Sequence, residues 1–387
     1  MRFNFVGEFD IKNKEVEKGV PGIIEGKTKK GGDKYLRVNP TCVAAKNNRA
    51  FCEVFGVKQS TIKTMDKDKN KIEIEYADAE DTSVLENIAF FKKHILDCGE
   101  GERFETASDY NFCNEIWERR EQMKGKRFLF TGQTKKNIYQ GKITDHFEVT
   151  NMYMLKENDT RKNALEINAE FYWTKDSIDT ADFKEEKKIY IEGWTREYVS
   201  DNDKVKDSDP DYQYFPLRIT FDCRKVDFDN EKHLEMCKFR LGQLGLSYED
   251  GKITNKLKKG KVYRNEVVIG YNRGAEEVEW DESQLTKVQK EAIKLGLKKA
   301  EDFAPKGQAY GESKVEYKLR NFTLNGDYTE GYVENGDWKE FEESIYMPVA
   351  TKEEEEAFEK AVNPPEEEEK KTKDDELSDD DLDDLFD

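Results

Sequence analysis

Through the first 350 positions, apolar residues alternate with polar ones far more often than they recur at helical spacing. Ile72, Ile74 and Tyr76 face away from Glu73 and Glu75, the period of two that a half-buried strand imposes. Stretches of this kind predict strands over residues 3–9, 35–44, 49–56, 71–76, 127–131, 147–155, 165–173, 188–199, 214–223, 262–271 and 315–324. The clearest helix is 283–297, where Leu285, Val288, Ala292 and Leu295 fall three and four apart and mark one face for packing on a sheet. Residues 84–96, 108–123 and 230–246 are weaker helix candidates. Turns rich in Gly, Asn and Asp at 26–34, 65–71, 131–137, 200–211 and 254–261 are long enough to project from a small barrel, and several are basic. The expected fold class is mainly β with a few helices.

A chain of 387 residues has room for more than one core. Divisions near Gly101 and Phe228 give three β-rich units over residues 1–101, 102–228 and 229–350, the last carrying the 283–297 helix. Residues 351–387 are of another kind. They hold 18 acids and 5 lysines, a net of −13, which leaves −6 for the rest of a chain whose total is −19. The first 350 residues are therefore nearly balanced and able to hold local basic grooves. From Asn363 onward the acidic segment has almost no apolar residue before Leu382, Leu385 and Phe386, so it buries too little surface to offset ordering, and 351–387 is expected to be a disordered tail.

Composition removes several function classes. No stretch approaches the ~20 consecutive apolar residues of a membrane span. The opening MRFNFVGEFD lacks the apolar run of ~7 to 15 residues that an export signal needs, and the six cysteines show no CxxC spacing. A cytoplasmic protein with free, mostly buried thiols is expected. The three histidines, His94, His146 and His233, form no zinc motif. Gly26-Lys27-Thr28 resembles the end of a phosphate-binding loop, yet Pro21 stands where that loop requires glycine. Glu166, Glu170 and Lys175 are the nearest approach to a metal-dependent nuclease core, at a spacing ordinary for a polar sheet face. No catalytic residue, cofactor or metal is assigned.

What stands out is aromatic and basic side chains sharing strand faces. In 188–196, alternation sets Ile189 and Ile191 on one face and Lys188, Tyr190, Trp194 and Arg196 on the other. Similar mixtures occur at Lys34, Tyr35 and Arg37; at Arg49, Phe51 and Phe55; at Lys126, Arg127, Phe128 and Phe130; at Arg218 and Arg224; and at Tyr263, Arg264 and Tyr271. Single-stranded nucleic acid is held in this way, bases stacking on aromatic faces at ~1 to 3 kcal/mol each while cations follow the phosphates. Phe and Tyr also fill small barrels whatever a protein does. Tyr190 and Trp194 are set apart because two isoleucines already supply the core face of their strand.

These faces, followed by an acidic segment ending Leu382-Asp383-Asp384-Leu385-Phe386-Asp387, resemble the single-stranded DNA-binding proteins of bacteria and especially of bacteriophages. The resemblance implies tandem OB-fold-like barrels, a role in DNA replication or recombination, and no enzymatic activity. It further implies that the tail docks replication proteins such as a polymerase, helicase or primase, and competes with DNA. RNA is a neighbouring ligand. The bacterial pattern ends on an aromatic residue after proline; here Asp387 follows Phe386, which favours a phage-encoded partner set in a host cytoplasm. A structural or regulatory viral β-protein, or a DNA mimic, is the alternative, with the nuclease as a second.

Overall fold

The computed structural model describes residues 1–16, 19–29, 31–139, 142–199, 211–274, 293–294, 314–322 and 331–346. The tail, the turn 200–211 except for its last residue, and all but two residues of the 283–297 helix lie outside them. Met1–Asn137 and Ile143–Tyr346 form one compact unit. The chain is mainly β, and its strands close into barrels.

The N-terminal barrel begins with β1 (Arg2–Ile11). An edge strand β2 (Ile23–Lys27) leads to β3 (Lys34–Val38) and β4 (Pro40–Ala45), which form one bent antiparallel partner for β5 (Asn48–Val57). A side hairpin, β6 (Thr61–Met65) with β7 (Lys71–Glu75), and the short helix α1 (Thr82–Asn87) follow. A second hairpin, β8 (His94–Asp97) with β9 (Arg103–Thr106), precedes helices α2 (Asp109–Glu118) and α3 (Arg120–Met123). The barrel closes through β10 (Arg127–Tyr139) and β11 (Lys142–Met154), with the ring order β1, β4, β5, β11, β10 and back to β1. β1 runs antiparallel to β10 and β4, and β4 to β5, whereas β5 and β11 are parallel.

The C-terminal barrel repeats this plan. Its strands are β12 (Ala164–Thr174), a two-residue β13 (Ile178–Asp179), helix α4 (Phe183–Glu186), β14 (Lys188–Tyr198) and β15 (Tyr212–Asp222). Helix α5 (Glu231–Gly242) and the hairpin β16 (Leu246–Glu249) and β17 (Lys252–Asn255) lead to β18 (Lys261–Gly274) and β19 (Lys314–Phe322). The ring runs β12, β14, β15, β19, β18 and back to β12, again antiparallel except for its third and last strands, β15 and β19. In both rings helix enters between the third and fourth strands, so the two five-stranded barrels share one plan, a plan compatible with an OB-fold. Finally β20 (Val333–Asp337) pairs with β18 and leads into a short helix, Trp338–Glu342.

Local chemistry explains the closures. A Cβ at Gly7 would collide with the Val43 carbonyl where β1 meets β4, and one at Gly193 with the Tyr172 carbonyl where β14 meets β12. Glycine therefore lets the first strand of each ring touch the second. Ser108 caps α2 by accepting from Asn111 N–H, and Asn230 caps α5 by accepting from Lys232 and His233 N–H. Phe112, Cys113 and Ile116 of α2, and Cys237 and Leu241 of α5, are buried.

The two barrels share one hydrophobic core. Arg2–Val6 of β1 pairs with Ala164–Asn168 of β12, joining the rings edge to edge. Phe3 stacks on Phe5 at 4.4 Å, Phe5 meets Phe147 at 4.9 Å, and Phe147 meets Tyr271 of the second ring at 5.0 Å. Such offset and edge contacts add to the burial itself. The sequence-based divisions lie inside rings: Gly101 is in the β8–β9 turn, and Phe228 joins β15 to α5.

Each sequence-predicted strand has a counterpart. Two expectations fail. Residues 84–96 form only the short α1, a 3-10 turn and then β8, because His94–Asp97 finds ladder partners in β9 and β11. Residues 131–137 are not a turn but the continuation of β10. All six cysteines are buried and free. Among the described residues no helix is long and apolar enough to cross a membrane.

Candidate nucleic-acid interface

β14 shows the alternation read from its sequence, with Ile189 and Ile191 buried and Tyr190 half-buried on the other face. That outer face, continued by β15 and β19, forms one wall of a groove; Lys136, Ile143, Thr144 and Asp145 of β10 and β11 contribute to the other. The groove has a volume of 1470 Å³, beyond the ~300–1,000 Å³ usual for a small-molecule pocket. Its size suits a polymer. Nine of its lining residues are lysine or arginine and three are carboxylates, so the field inside is positive in a chain of negative net charge.

The cations divide by what they touch. Arg218 lies over the Tyr190 ring at 4.4 Å and reaches Glu192 at only 3.7 Å. Arg224 is tied to Asp222 at 2.6 Å, which holds the Asp222 carboxyl down at about 2. Lys188 meets Glu186 at 3.2 Å, and Lys318 meets Glu316 at 3.0 Å. Arg240 is structural: it lies over Phe221 at 5.0 Å and donates to the Leu319 and Arg320 carbonyls. Among the described residues Lys225 and Arg320 have no ion-pair partner, which leaves their charge for an anion.

A buried polar network anchors the wall where the barrels meet. Lys136 Nζ sits 2.7 Å from Asp145 Oδ1, each side chain 5% exposed, and the Tyr317 hydroxyl donates to Asp145 Oδ2. Burial, then the Asp145 charge, pushes the Tyr317 hydroxyl far above its ordinary pKa, so it stays a donor. The network holds β10 and β11 against β19.

The N-terminal barrel presents a second face, on β5, which holds the third ring position as β15 does in the other barrel, and on β3 paired beside it. Arg49, Phe51 and Phe55 point outward from β5 while Ala50, Cys52 and Val54 are core; Phe51 is 46% and Phe55 41% exposed. Tyr35 of β3 lies 5.6 Å from the Phe55 ring, and Arg37 stands over that ring at 5.9 Å. Lys34, also on β3, is exposed.

Seven sequence-selected residues lie elsewhere. Phe128 is fully buried and Tyr263 is 4% exposed, so both belong to the core, as their barrel-filling chemistry allows. Trp194 does leave the isoleucine face, but Trp338 and Phe341 of the short C-terminal helix cover it at 5.1 and 5.5 Å. Arg127 clamps a loop, donating to Asn163 Oδ1 at 3.0 Å and to the Arg161 and Asp159 carbonyls. Arg264 holds Glu170 at 3.1 Å. Arg196 shares that carboxylate at 3.8 Å and lies over Tyr212 at 4.5 Å, in a separate cleft, while Lys126 is exposed at the start of β10. Glu170, the key carboxylate of a nuclease reading, is thus engaged by two arginines. The segment Leu382, Asp383, Asp384, Leu385 and Phe386 lies outside the described residues.

Lys136, Lys225, Arg273, Tyr317, Lys318 and Arg320 were not singled out from sequence. The strand pattern Lys318-Leu319-Arg320 already marks two cations around a core residue; what was missing is that β19 lies parallel to β15 and so brings them to the same groove. Set against known proteins, the chain matches no family model, no curated protein and no solved structure.

Proposed function

We propose that this protein binds single-stranded DNA without sequence preference, as a non-enzymatic OB-fold protein of DNA replication or recombination in a cytoplasm. The observation that carries this reading is the groove across β14, β15 and β19, in which a half-exposed tyrosine lies among lysines and arginines on the sheet face that OB-folds use for oligonucleotides. Aromatic faces accept any base, and cations accept any phosphate, so the chemistry is tolerant of sequence. Buried free thiols suit a reducing compartment. The positive groove supports this reading over that of a DNA mimic, which would present carboxylates.

Residues 351–387, through Leu382, Leu385 and Phe386 set among Asp383 and Asp384, are assigned the recruitment of replication partners. Titration of fluorescent oligo-dT into the full-length protein at several salt concentrations tests the main reading. Affinity is expected to fall by ~0.7 log units per log unit of salt for each phosphate neutralised, and duplex DNA to bind more weakly. Absence of binding at low salt rejects the reading. Competition by oligo-U separates DNA preference from RNA preference, and removal of residues 351–387 is expected to strengthen binding by ending competition.

A further inference from the structure

We propose that the outer face of β3 and β5 is a second base-stacking platform, continuous with the C-terminal groove, so that one strand of nucleic acid lies across both barrels. The proposal rests on the single-strand reading and deepens it by specifying a ligand longer than one barrel covers.

Two phenylalanines exposed on one face of a ring strand are costly unless something covers them. Phe51 and Phe55 lie four residues apart on β5, ~13 Å at strand rise, with Tyr35 beside the second and Arg37 and Arg49 nearby. β5 holds the ring position that β15, a strand of the groove, holds in the other barrel. The two faces also touch. Arg273 lines the groove and stands over the Phe51 ring at 4.8 Å. Asn272, another lining residue, accepts from Asn48 Nδ2 at 3.3 Å, and Arg273 N–H donates to Asn48 Oδ1 at 3.1 Å. Below this seam Phe5, Phe147 and Tyr271 form one aromatic cluster, so the platforms are held in fixed relation. A path of aromatic faces with cations beside them fits a flexible polyanion with unstacked bases.

The test uses oligo-dT of about 8 and about 30 nucleotides, on either side of the upper part of the ~4–16 that one OB-fold covers. Full-length protein, the F51A/F55A variant and the Tyr190→Ala/Arg218→Ala variant are compared. F51A/F55A is expected to bind the long oligonucleotide about 10- to 100-fold more weakly and the short one as before. Tyr190→Ala/Arg218→Ala is expected to weaken both. Because Phe51 and Phe55 are exposed, the variant keeps its fold; a second readout in the unaltered protein is photo-crosslinking with halogenated deoxyuridine, expected on Tyr35, Phe51 or Phe55. Long-oligonucleotide affinity unchanged in F51A/F55A, with no crosslink on β3 or β5, overturns the proposal and makes this face a surface for a protein partner. If no oligonucleotide of either length binds the unaltered protein, it is the single-strand reading itself that fails.

Discussion

The two barrels share a strand plan but distribute their chemistry differently. On the N-terminal face the aromatics are open and the cations are few: Lys34, Arg37 and Arg49, of which Arg37 is held by Glu53 at 2.8 Å. In the C-terminal groove the cations predominate and the aromatics are restrained, Tyr190 beneath Arg218 and Tyr317 by its bond to Asp145. Stacking capacity and electrostatic attraction are thus concentrated on different barrels. On the proposed function the groove supplies the salt-dependent part of affinity, and the β3–β5 face supplies a part that salt scarcely touches.

The most severe break is expected at the seam. Lys136→Met leaves Asp145 buried without its cation and should cost about 3–5 kcal/mol in urea denaturation. The matching change on the other face, Arg37→Met, removes a side chain that is 44% exposed and leaves the buried Glu53 with His146 at 3.0 Å, so a smaller loss of about 1–2 kcal/mol is expected. Equal losses at the two positions would show that the groove wall is not specially anchored.

Trp194 comes next. Trp194→Ala should lower stability by about 2–3 kcal/mol through lost packing against Trp338 and Phe341, while oligonucleotide affinity stays the same. A loss of affinity at unchanged stability would return Trp194 to the interface. For charge against stacking, Arg218→Ala should reduce the slope of log affinity on log salt by about 0.7, and Phe55→Ala should lower affinity with the slope intact.

The smallest effect separates the barrels by pH. In the N-terminal barrel, burial disfavours the charged His94 ring, but its bond to Asp109 at 2.8 Å and that carboxylate's charge outweigh it, raising the pKa above 6.5. Its contribution is complete below that pH and is lost as pH rises through the folded value. In the C-terminal barrel, Asp222 is held at about 2 by bonds from Arg224, against an ordinary 3.8. Its contribution is present above 3.8 and is lost as pH falls towards 2. Unfolding midpoints followed across pH should therefore lose their alkaline sensitivity in His94→Gln and part of their acid sensitivity in Asp222→Asn.

Much of this architecture was legible along the chain because period-two burial is a local property: a strand such as 188–198 records its two faces in its own residues. The same rule found Arg49 and Phe51, since Ala50 and Cys52 between them are plainly core. Tyr263 shows the same rule from the other side: it has the parity of Val267, Ile269 and Tyr271 on β18, opposite to that of Arg264, and lies with them in the core, with Tyr332 5.4 Å away. Local pattern failed at 84–96, where a helical spacing yielded to ladder partners 50 or more residues away in β11.

Alternation and composition by themselves determined that the chain is mainly β, which residues of a strand face inward, and that its acidity is concentrated after residue 350. Tertiary structure decided which outward faces stay open. Covering Trp194 required a helix 144 residues further on in sequence, and gathering Lys318, Arg320 and Tyr190 into one groove required β19 to pair in parallel with β15. The physical reason is that a strand encodes its own two sides, whereas what packs on the outer side is set by chain closure between distant segments, and no local pattern carries that distance.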